Sequence, residues 1–238
     1  MNIFIMTKAE QKRARKRLPI GKKALLVFLA LLLALVAVAA VAYSRYLHPT
    51  GEIVPGLYAV RAGGNGSPMV NFFLLRAGEN YIAIDAGTDP VQTQGELQKL
   101  GVSADAVAAV FVTHADQDHI GSLNLFENAM IYTGNTANSP FPDIPHTAMA
   151  DGEMIEISGV SIQCFHTPGH TIDSVSFLAD GKYLFVGDLL VNPNLARYDV
   201  ELQILYREKM LGIDGVQYVF TGHFGLFRDI RFFRFFGI

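Results

Sequence analysis

Apolar residues along this chain occur in two patterns, one long run near the start and many short runs afterwards. Residues 24–43 form a stretch of 20 uncharged residues. At about 1.5 Å per residue, a helix of this length spans a hydrocarbon core of about 30 Å. After residue 53 the apolar runs have strand length and alternate with turn residues. The pattern predicts a transmembrane helix followed by a domain of mixed strands and helices.

The short runs locate the elements of that domain. Hairpin-like spacing at its start predicts antiparallel strands, and helical spacing recurs later. The predicted strands are Leu57–Arg61, Val70–Arg76, Tyr81–Ile84, Ala108–Thr113, Met130–Tyr132, Met154–Ile157, Val160–Phe165, Ser174–Leu178, Tyr183–Val186 and Tyr218–Phe220. The predicted helices are Val91–Leu100, Ser122–Asn128, Val200–Gly212 and an aromatic helix at the C-terminus, and Asn135–Ala150 is predicted as a loop. Hairpins with interspersed helices indicate an αββα sandwich or another layered α/β fold.

Charge divides the chain in the same place. Residues 1–23 carry eight Lys and Arg against one Glu, whereas the remainder carries 11 basic and 21 acidic side chains. Basic residues before an apolar segment stay on the cytoplasmic side, so the domain is expected outside the cytoplasm, held by a single-pass anchor in the cell membrane. The acidic balance of the domain disfavours nucleic acid as a partner.

A cleaved signal peptide is the competing interpretation of the apolar run, because Ala40-Val41-Ala42 resembles a cleavage site. Signal h-regions usually run about 7–15 residues, so the greater length favours an uncleaved anchor. The expected organisation is a basic tail at 1–23, an anchor at 24–43, a linker at 44–53 and a domain at 54–238. His48 is expected to be a solvated linker residue, and Cys164, in an alternating apolar run, a buried structural thiol.

Potential metal ligands cluster where the predicted strands end. Four follow the buried strand Ala108–Thr113 within six positions: His114, Asp116, Asp118 and His119. Later strand ends add His170 in Thr-Pro-Gly-His-Thr, Asp188 in Gly-Asp and His223 in Thr-Gly-His. Each later residue alone is more often structural, and His146 in its loop is expected to be a surface residue rather than a ligand. Functional residues of layered α/β folds gather at one end of the strands, so the seven are expected to converge.

The order and spacing of these motifs resemble the metallo-β-lactamase superfamily. His-Ala-Asp-Gln-Asp-His, Thr-Pro-Gly-His-Thr, Gly-Asp and Thr-Gly-His carry the resemblance, and Asp85-Ala86-Gly87 matches the family's early Asp, which is usually structural. The similarity extends over roughly residues 54–225. It implies a four-layer αββα sandwich, with a core of the glyoxalase II type, behind the N-terminal helix.

The resemblance also implies how two metal ions would share the ligands. The first ion would bind His114, Asp116 and His170, the second Asp118, His119 and His223, and Asp188 would bridge both. Asp116 departs from the family, in which most members have His at this position. A carboxylate is harder than imidazole and adds negative charge, which shifts preference from zinc toward manganese or iron and would weaken the first position. We expect two divalent ions, zinc first, with manganese or iron as alternatives, or a single ion.

Two cations about 3.5–4 Å apart make a shared water nucleophilic near neutral pH. Asp118 would orient this nucleophile and carry its proton, which makes Asp118 and Asp188 the candidate catalytic residues. Asp188 stands where several true β-lactamases of the family carry Cys or Ser. The resemblance therefore implies a thioesterase-, lactonase- or phosphoesterase-like member.

The leading hypothesis is a membrane-anchored hydrolase of a small ester, thioester or lactone. A phosphodiesterase or nuclease, an iron-dependent redox enzyme and a non-catalytic metal-binding module remain as alternatives. The 15 residues after His223 leave no room for a C-terminal glutathione-binding domain, so substrate contacts are expected from loops Gly63–Pro68 and Asn192–Tyr198, including Arg197 and Tyr198. The Phe- and Arg-rich segment Phe224–Ile238 is expected to dock on the sandwich or to lie at a bilayer interface.

Overall fold

The described part of the N-terminal unit, from residue 20 to residue 44, is helical. The structure, a computed structural model, describes residues 20–46, 48–63, 70–134, 141–191, 196–223 and 225–227. Helix α1 runs over Ile20–Tyr46, with side chains described for residues 21–37, all of them exposed. Within the described residues, no helix reaches the length and apolarity that crossing a bilayer requires. The second compact unit, residues 45–238, contains the other helices and strands of the described chain.

Two β-sheets form the centre of this second unit. The strands of the first sheet are β1 Gly51–Val54, β2 Leu57–Ala62, β3 Val70–Ala77, β4 Asn80–Ile84, β5 Val107–Phe111, β6 Met130–Gly134 and β7 Thr147–Met149. Those of the second are β8 Met154–Ile157, β9 Val160–His166, β10 Val175–Ala179, β11 Tyr183–Phe185, β12 Tyr218–Thr221 and β13 Gly225–Phe227. The first sheet follows chain order, antiparallel up to β4 and parallel from β4 onward. The second has the order β13-β12-β11-β10-β9-β8, in which only β11 and β12 are parallel among the described strands.

The two sheets pack face to face over a shared apolar core. Phe73 of the first sheet lies with its ring centroid 5.5 Å from that of Phe185 and 5.1 Å from that of Phe220 in the second. Phe111 and Phe177 meet in the same way at 5.2 Å. In β3 the core residues Phe73, Leu75 and Ala77 occupy alternate positions, as expected where one face of a strand is buried against another sheet.

Helices cover the outer faces and complete the αββα order. Helix α2, Pro90–Lys99, begins with Asp89 accepting a hydrogen bond from the Gln92 amide and places Leu97 on the outer face of the first sheet. Helix α3 is short, Gln117–Ile120. Helix α4, Val200–Leu211, packs against the outer face of the second sheet. The predicted layered fold is confirmed for the described domain.

Several predicted boundaries differ from the structure. Strand β1 begins at Gly51, inside the range expected as linker, and half-buried His48 is tied to the domain because its amide donates to Asn71 Oδ1 at 3.1 Å. The predicted helix Ser122–Asn128 is replaced by α3 and a 3-10 turn at Leu123–Leu125. Strand β7 lies within the predicted loop. Strands β1 and β7 are defined by their pairing with β2 and β6, which local periodicity does not report.

Some expectations fall outside the described residues. These are the basic tail up to residue 19, most of the loops at 63–68 and 192–198, and the C-terminal segment from residue 228. The described residues just before it, Gly225–Phe227, form strand β13 rather than the start of a helix, because they pair antiparallel with β12.

The single cysteine gives a direct test of the inter-sheet core. Cys164 is fully buried there, and burial together with the nearby acids Asp151 and Glu153 raises its thiol pKa to about 12. Because the thiolate is the reactive form, we expect no labelling by a thiol reagent at about pH 8 in the native state and complete labelling in denaturant. Rapid labelling of the folded protein would contradict the packing.

Candidate metal centre

All seven predicted ligands lie at one edge of the sandwich. Strand β5 leads into the turn that carries His114 to His119, and β9 leads to His170. Strands β11 and β12, which are parallel neighbours, lead to Asp188 and His223. The Val175 amide joins the two sheets at this edge by donating to the Thr113 carbonyl at 2.8 Å. The structure therefore brings together residues from distant parts of the chain.

Asp188 is the centre of the cluster. Its carboxylate oxygens lie 3.9, 3.4, 3.5 and 3.2 Å from the Nε2 atoms of His114, His119, His170 and His223, respectively. The side chain is almost fully buried, so these imidazoles replace the water that would otherwise solvate it. One carboxylate thus reaches ligand atoms contributed by both sheets.

The donors form two groups. Among the described residues, two sets of three offer ligand atoms within 4.8 Å of one another: His114, His170 and Asp188, and Asp118, His119 and His223. Asp116 belongs to neither set, although its Oδ2 lies 3.3 Å from Nε2 of both His114 and His170. Instead, both carboxylate oxygens of Asp116 accept hydrogen bonds from Nη2 of Arg197.

Contacts at Nδ1 fix the orientation of the His114 and His119 rings. Asp85, in a left-handed conformation with φ 64°, accepts from the Thr113 amide at 2.7 Å and from the Thr113 hydroxyl at 2.9 Å. Its Oδ2 also lies 2.8 Å from Nδ1 of His119. The Thr113 hydroxyl in turn lies 3.0 Å from Nδ1 of His114. Such contacts set the ring orientation of a metal-binding histidine and leave Nε2 for the metal.

Buried atoms without hydrogen-bond partners test whether a metal pair fits these residues. Nε2 of His114, Nε2 of His119 and Oδ1 of Asp188 are buried and make no hydrogen bond in the described structure. Leaving three such atoms unsatisfied in one cluster is costly unless a ligand engages them. Imidazole nitrogens and carboxylate oxygens are ligands for zinc and related divalent ions. The donor set therefore fits a pair of divalent cations.

The electrostatics of the cluster favour positive charge. Burial alone would raise the pKa of Asp188, but His119, His223 and His114 hold it well below its ordinary value. Burial alone would lower the pKa of His119, but Asp85 and Asp188 raise it well above its ordinary value. The carboxylates thus keep their charge and stabilise a cation beside them.

Two positions in the motifs require glycine because neighbouring side chains lie very close to the backbone there. A Cβ at Gly222 would lie 2.7 Å from Cε1 of His119 and 3.1 Å from Oδ1 of Asp188. Gly187 has φ 49°, and a Cβ there would lie 2.6 Å from Oγ1 of Thr113. Any larger residue at either position would displace a ligand or the side chain that orients it.

Helix α4 supports the loop that follows Asp188 with two residues that sequence reasoning missed. Buried Gln203 donates through Nε2 to the Leu189 and Val191 carbonyls at 3.1 and 3.3 Å, and buried Arg207 donates to the same two carbonyls at 3.4 and 2.7 Å. The loop that follows Asp188 is thereby held against the helix. The available signal was the spacing of Gln203 and Arg207, since residues four positions apart lie on the same face of a helix.

Asp173 is a third residue that sequence reasoning missed. It is buried, and its Oδ2 accepts a hydrogen bond from the Ala115 amide at 2.9 Å. This bond connects the loop of His170 to the loop of His114. Its position three residues after His170, in the continuation of the Thr-Pro-Gly-His-Thr segment, was the only signal in the sequence.

Comparisons with known proteins agree with this fold. The family model of the metallo-β-lactamase superfamily matches residues 66–133, which include the first ligand cluster. A metallo-β-lactamase family protein from Thermus thermophilus has the same fold, with a TM-score of 0.63 at 20% identity over 76% of this chain and 77% of its own. A B3 metallo-β-lactamase with an active-site glutamic acid gives a TM-score of 0.60 at 19% identity, over 80% and 87%. These solved structures show that the chain shares their fold, and residues 66–133 are similar to the metallo-β-lactamase superfamily.

Two of the curated relatives have names that describe hydrolysis of thioesters. Hydroxyacylglutathione hydrolase of Aeromonas salmonicida is 30% identical over 53% of this chain and 49% of its own length. Atrochrysone carboxyl ACP thioesterase of Aspergillus chevalieri is 27% identical over 58% and 46%. The chain thus spans about half the length of these relatives.

Asp85 offers a test of how the ligands are held. Asp85→Asn keeps the size of the side chain but removes the negative charge that orients His119 and Thr113. We expect metal affinity to fall by about 10–100-fold, because residues behind metal-binding histidines typically contribute this much. The measurement is metal content after dialysis against graded chelator concentrations.

Asp180→Asn is the matched control for this change. Asp180 also has a positive φ, 50°, but it lies in a turn away from the ligands, where its carboxylate accepts from the Ser161 amide. This variant is expected to bind metal like the unmodified protein. Equal losses in the two variants would show that Asp85 acts through general stability only.

Proposed function

We propose that this protein is a metal-dependent hydrolase of a small ester, thioester or lactone. The observation that carries the proposal is the arrangement around Asp188, where one buried carboxylate joins two groups of metal-competent donors. A metal pair in such a site supplies an activated water and polarises the carbonyl oxygen of the substrate. The family resemblance and the donor geometry support hydrolysis over a purely structural role.

The residues of the chain have distinct parts in this proposal. His114 and His170 would hold the first cation, and His119 and His223 would hold the second, with Asp188 available to both. Asp118 lies with its Oδ2 3.3 Å from Nε2 of His223, at the side of the second position. From there its carboxylate can accept the proton of the attacking water and return it to the leaving group.

A thioester is the substrate linkage that we favour. Two relatives carry names that describe thioester hydrolysis, a hydroxyacylglutathione hydrolase and an acyl carrier protein thioesterase. Thiolates are good leaving groups, so a thioester needs less help from a general acid than an amide does. The substrate is proposed to be a small molecule, and the acidic balance of the domain disfavours polynucleotides.

Asp188→Ala tests the proposal most directly. Removal of the shared carboxylate should lower hydrolysis of a model thioester by at least about a hundredfold, because it removes a ligand rather than a residue behind one. The measurement is initial rate at saturating zinc, with circular dichroism to verify the fold. Asp214→Ala, which removes an exposed acid, is the control and should retain full activity.

A substrate panel decides between reaction classes. Thioesters, esters and lactones should be hydrolysed by the unmodified protein loaded with zinc, manganese or iron, and a phosphodiester should not. Cleavage of the phosphodiester alone would replace the proposal with a phosphodiesterase function. Oxygen consumption by the iron form would instead indicate a redox enzyme.

We further propose that the domain is anchored in the cell membrane by its N-terminal helix and lies outside the cytoplasm. The support is the uncharged run at residues 24–43, the basic residues before it, and the exposed apolar side chains from Leu25 to Val36. Anchoring would keep the hydrolase close to substrates at the bilayer surface.

The double variant Leu32→Arg with Val36→Arg tests the anchor. Each Arg near the centre of a membrane helix costs about 2.5–3.5 kcal/mol, so the variant should leave the carbonate-washed membrane fraction. Leu32→Ile with Val36→Ile is the apolar control and should stay in that fraction. The proposal is wrong if the unmodified chain is extracted by carbonate, and its topology is wrong if protease reaches the domain only in inverted vesicles.

A further inference from the structure

Arg197 is placed at the first cation position by the backbone around it. Its amide donates to the His170 carbonyl at 2.9 Å, and the Tyr198 and Asp199 amides both donate to the Gly169 carbonyl, at 3.3 and 2.9 Å. The loop that carries Arg197 is therefore hydrogen-bonded to the loop that carries a ligand. This anchoring fixes where the guanidinium can reach, although the side chain is largely exposed.

The guanidinium of Arg197 is hydrogen-bonded to the carboxylate of Asp116, which the family pattern assigns to the first metal. Nη2 of Arg197 contacts both oxygens of Asp116, and Oδ2 of Asp116 is the oxygen that faces His114 and His170 at 3.3 Å. A metal that used this oxygen would have to share it with a cation. Arginine keeps its charge at any physiological pH, so the competition does not depend on titration.

The second cation position has the opposite surroundings. His119 is backed by the buried carboxylate of Asp85 at 2.8 Å, which increases the electron density available at the other ring nitrogen. Asp118 contributes a further negative charge beside His223. The shared ligand Asp188 is common to both positions and so does not distinguish them.

We propose that the contact of Arg197 with Asp116 makes the two metal positions unequal in affinity. The position formed by Asp118, His119 and His223 fills first. The position formed by His114 and His170 fills only at higher metal concentration. This inference rests on the metal centre of the proposed function. It assigns to Arg197 a role in setting metal occupancy, through a contact with Asp116 in place of the histidine that most superfamily members have there.

The test is a Co²⁺ titration of the full-length, metal-free protein in mild detergent, followed by visible absorption and by competition with a chelator. The unmodified protein should show two separate binding steps. Arg197→Ala should tighten the weaker step by about tenfold, the order expected when one unit charge beside a divalent ion is removed from a partly solvated site. The tighter step should not change.

Four further variants test whether the contact, the charge or the ligands themselves determine the two binding steps. Arg197→Lys keeps the charge and should leave both steps nearly as they are. Lys209→Ala removes the same charge from α4, where Lys209 lies over the Tyr206 ring, and should leave the steps unchanged. His223→Ala should abolish the tighter step and His170→Ala the weaker one.

The outcomes distinguish this inference from the proposed function. Two equal steps in the unmodified protein, or a weaker step that Arg197→Ala leaves unchanged or loosens further, would overturn the role of Arg197 while leaving a two-metal hydrolase intact. An equal response to Lys209→Ala would overturn it as well, since any nearby charge would then suffice. The absence of Co²⁺ binding at either position would instead refute the metal centre itself.

Discussion

A buried carboxylate surrounded by imidazoles is the constraint on which the rest of this structure depends. Asp188 lies within 3.9 Å of four histidine Nε2 atoms, and those histidines come from three separate chain segments. Each imidazole is a weak base that is easily reoriented, so the cluster holds its shape only because other groups fix the rings. The site is therefore a property of the whole sandwich edge, where several strands of both sheets end, rather than of any one loop.

Two groups of hydrogen bonds hold the cluster, one on the side of each sheet. On the first sheet, Asp85 and Thr113 orient His119 and His114. On the side of the second sheet, Gln203 and Arg207 of α4 donate hydrogen bonds to the carbonyls that follow Asp188. Buried polar groups of this kind cost stability unless every partner is in place, so they define one arrangement of the loops. A metal-dependent site needs such rigidity, because ligand positions must be kept within a few tenths of an ångström.

The secondary structure shows where local pattern was sufficient. Helices α2 and α4 agree with their predicted ranges because capping residues, Asp89 and Asp199, and apolar spacing act within a few positions. Strands of the inter-sheet core were recognisable from their apolar runs. The short strand at Thr147–Met149 and the strand at Gly225–Phe227 were not, since their pairing partners β6 and β12 supply the hydrogen bonds that make them strands.

The sequence by itself determined the class of fold and the seven candidate ligands, because residue type and spacing carry that information locally. Only the tertiary structure decided how the ligands are grouped. It placed Asp116 against Arg197, 81 positions away, and outside both groups of three. It also placed Gln203, Arg207 and Asp173 behind the loops. These roles arise from contacts across the sandwich edge, and no pattern along the chain records which distant side chains a folded edge brings together.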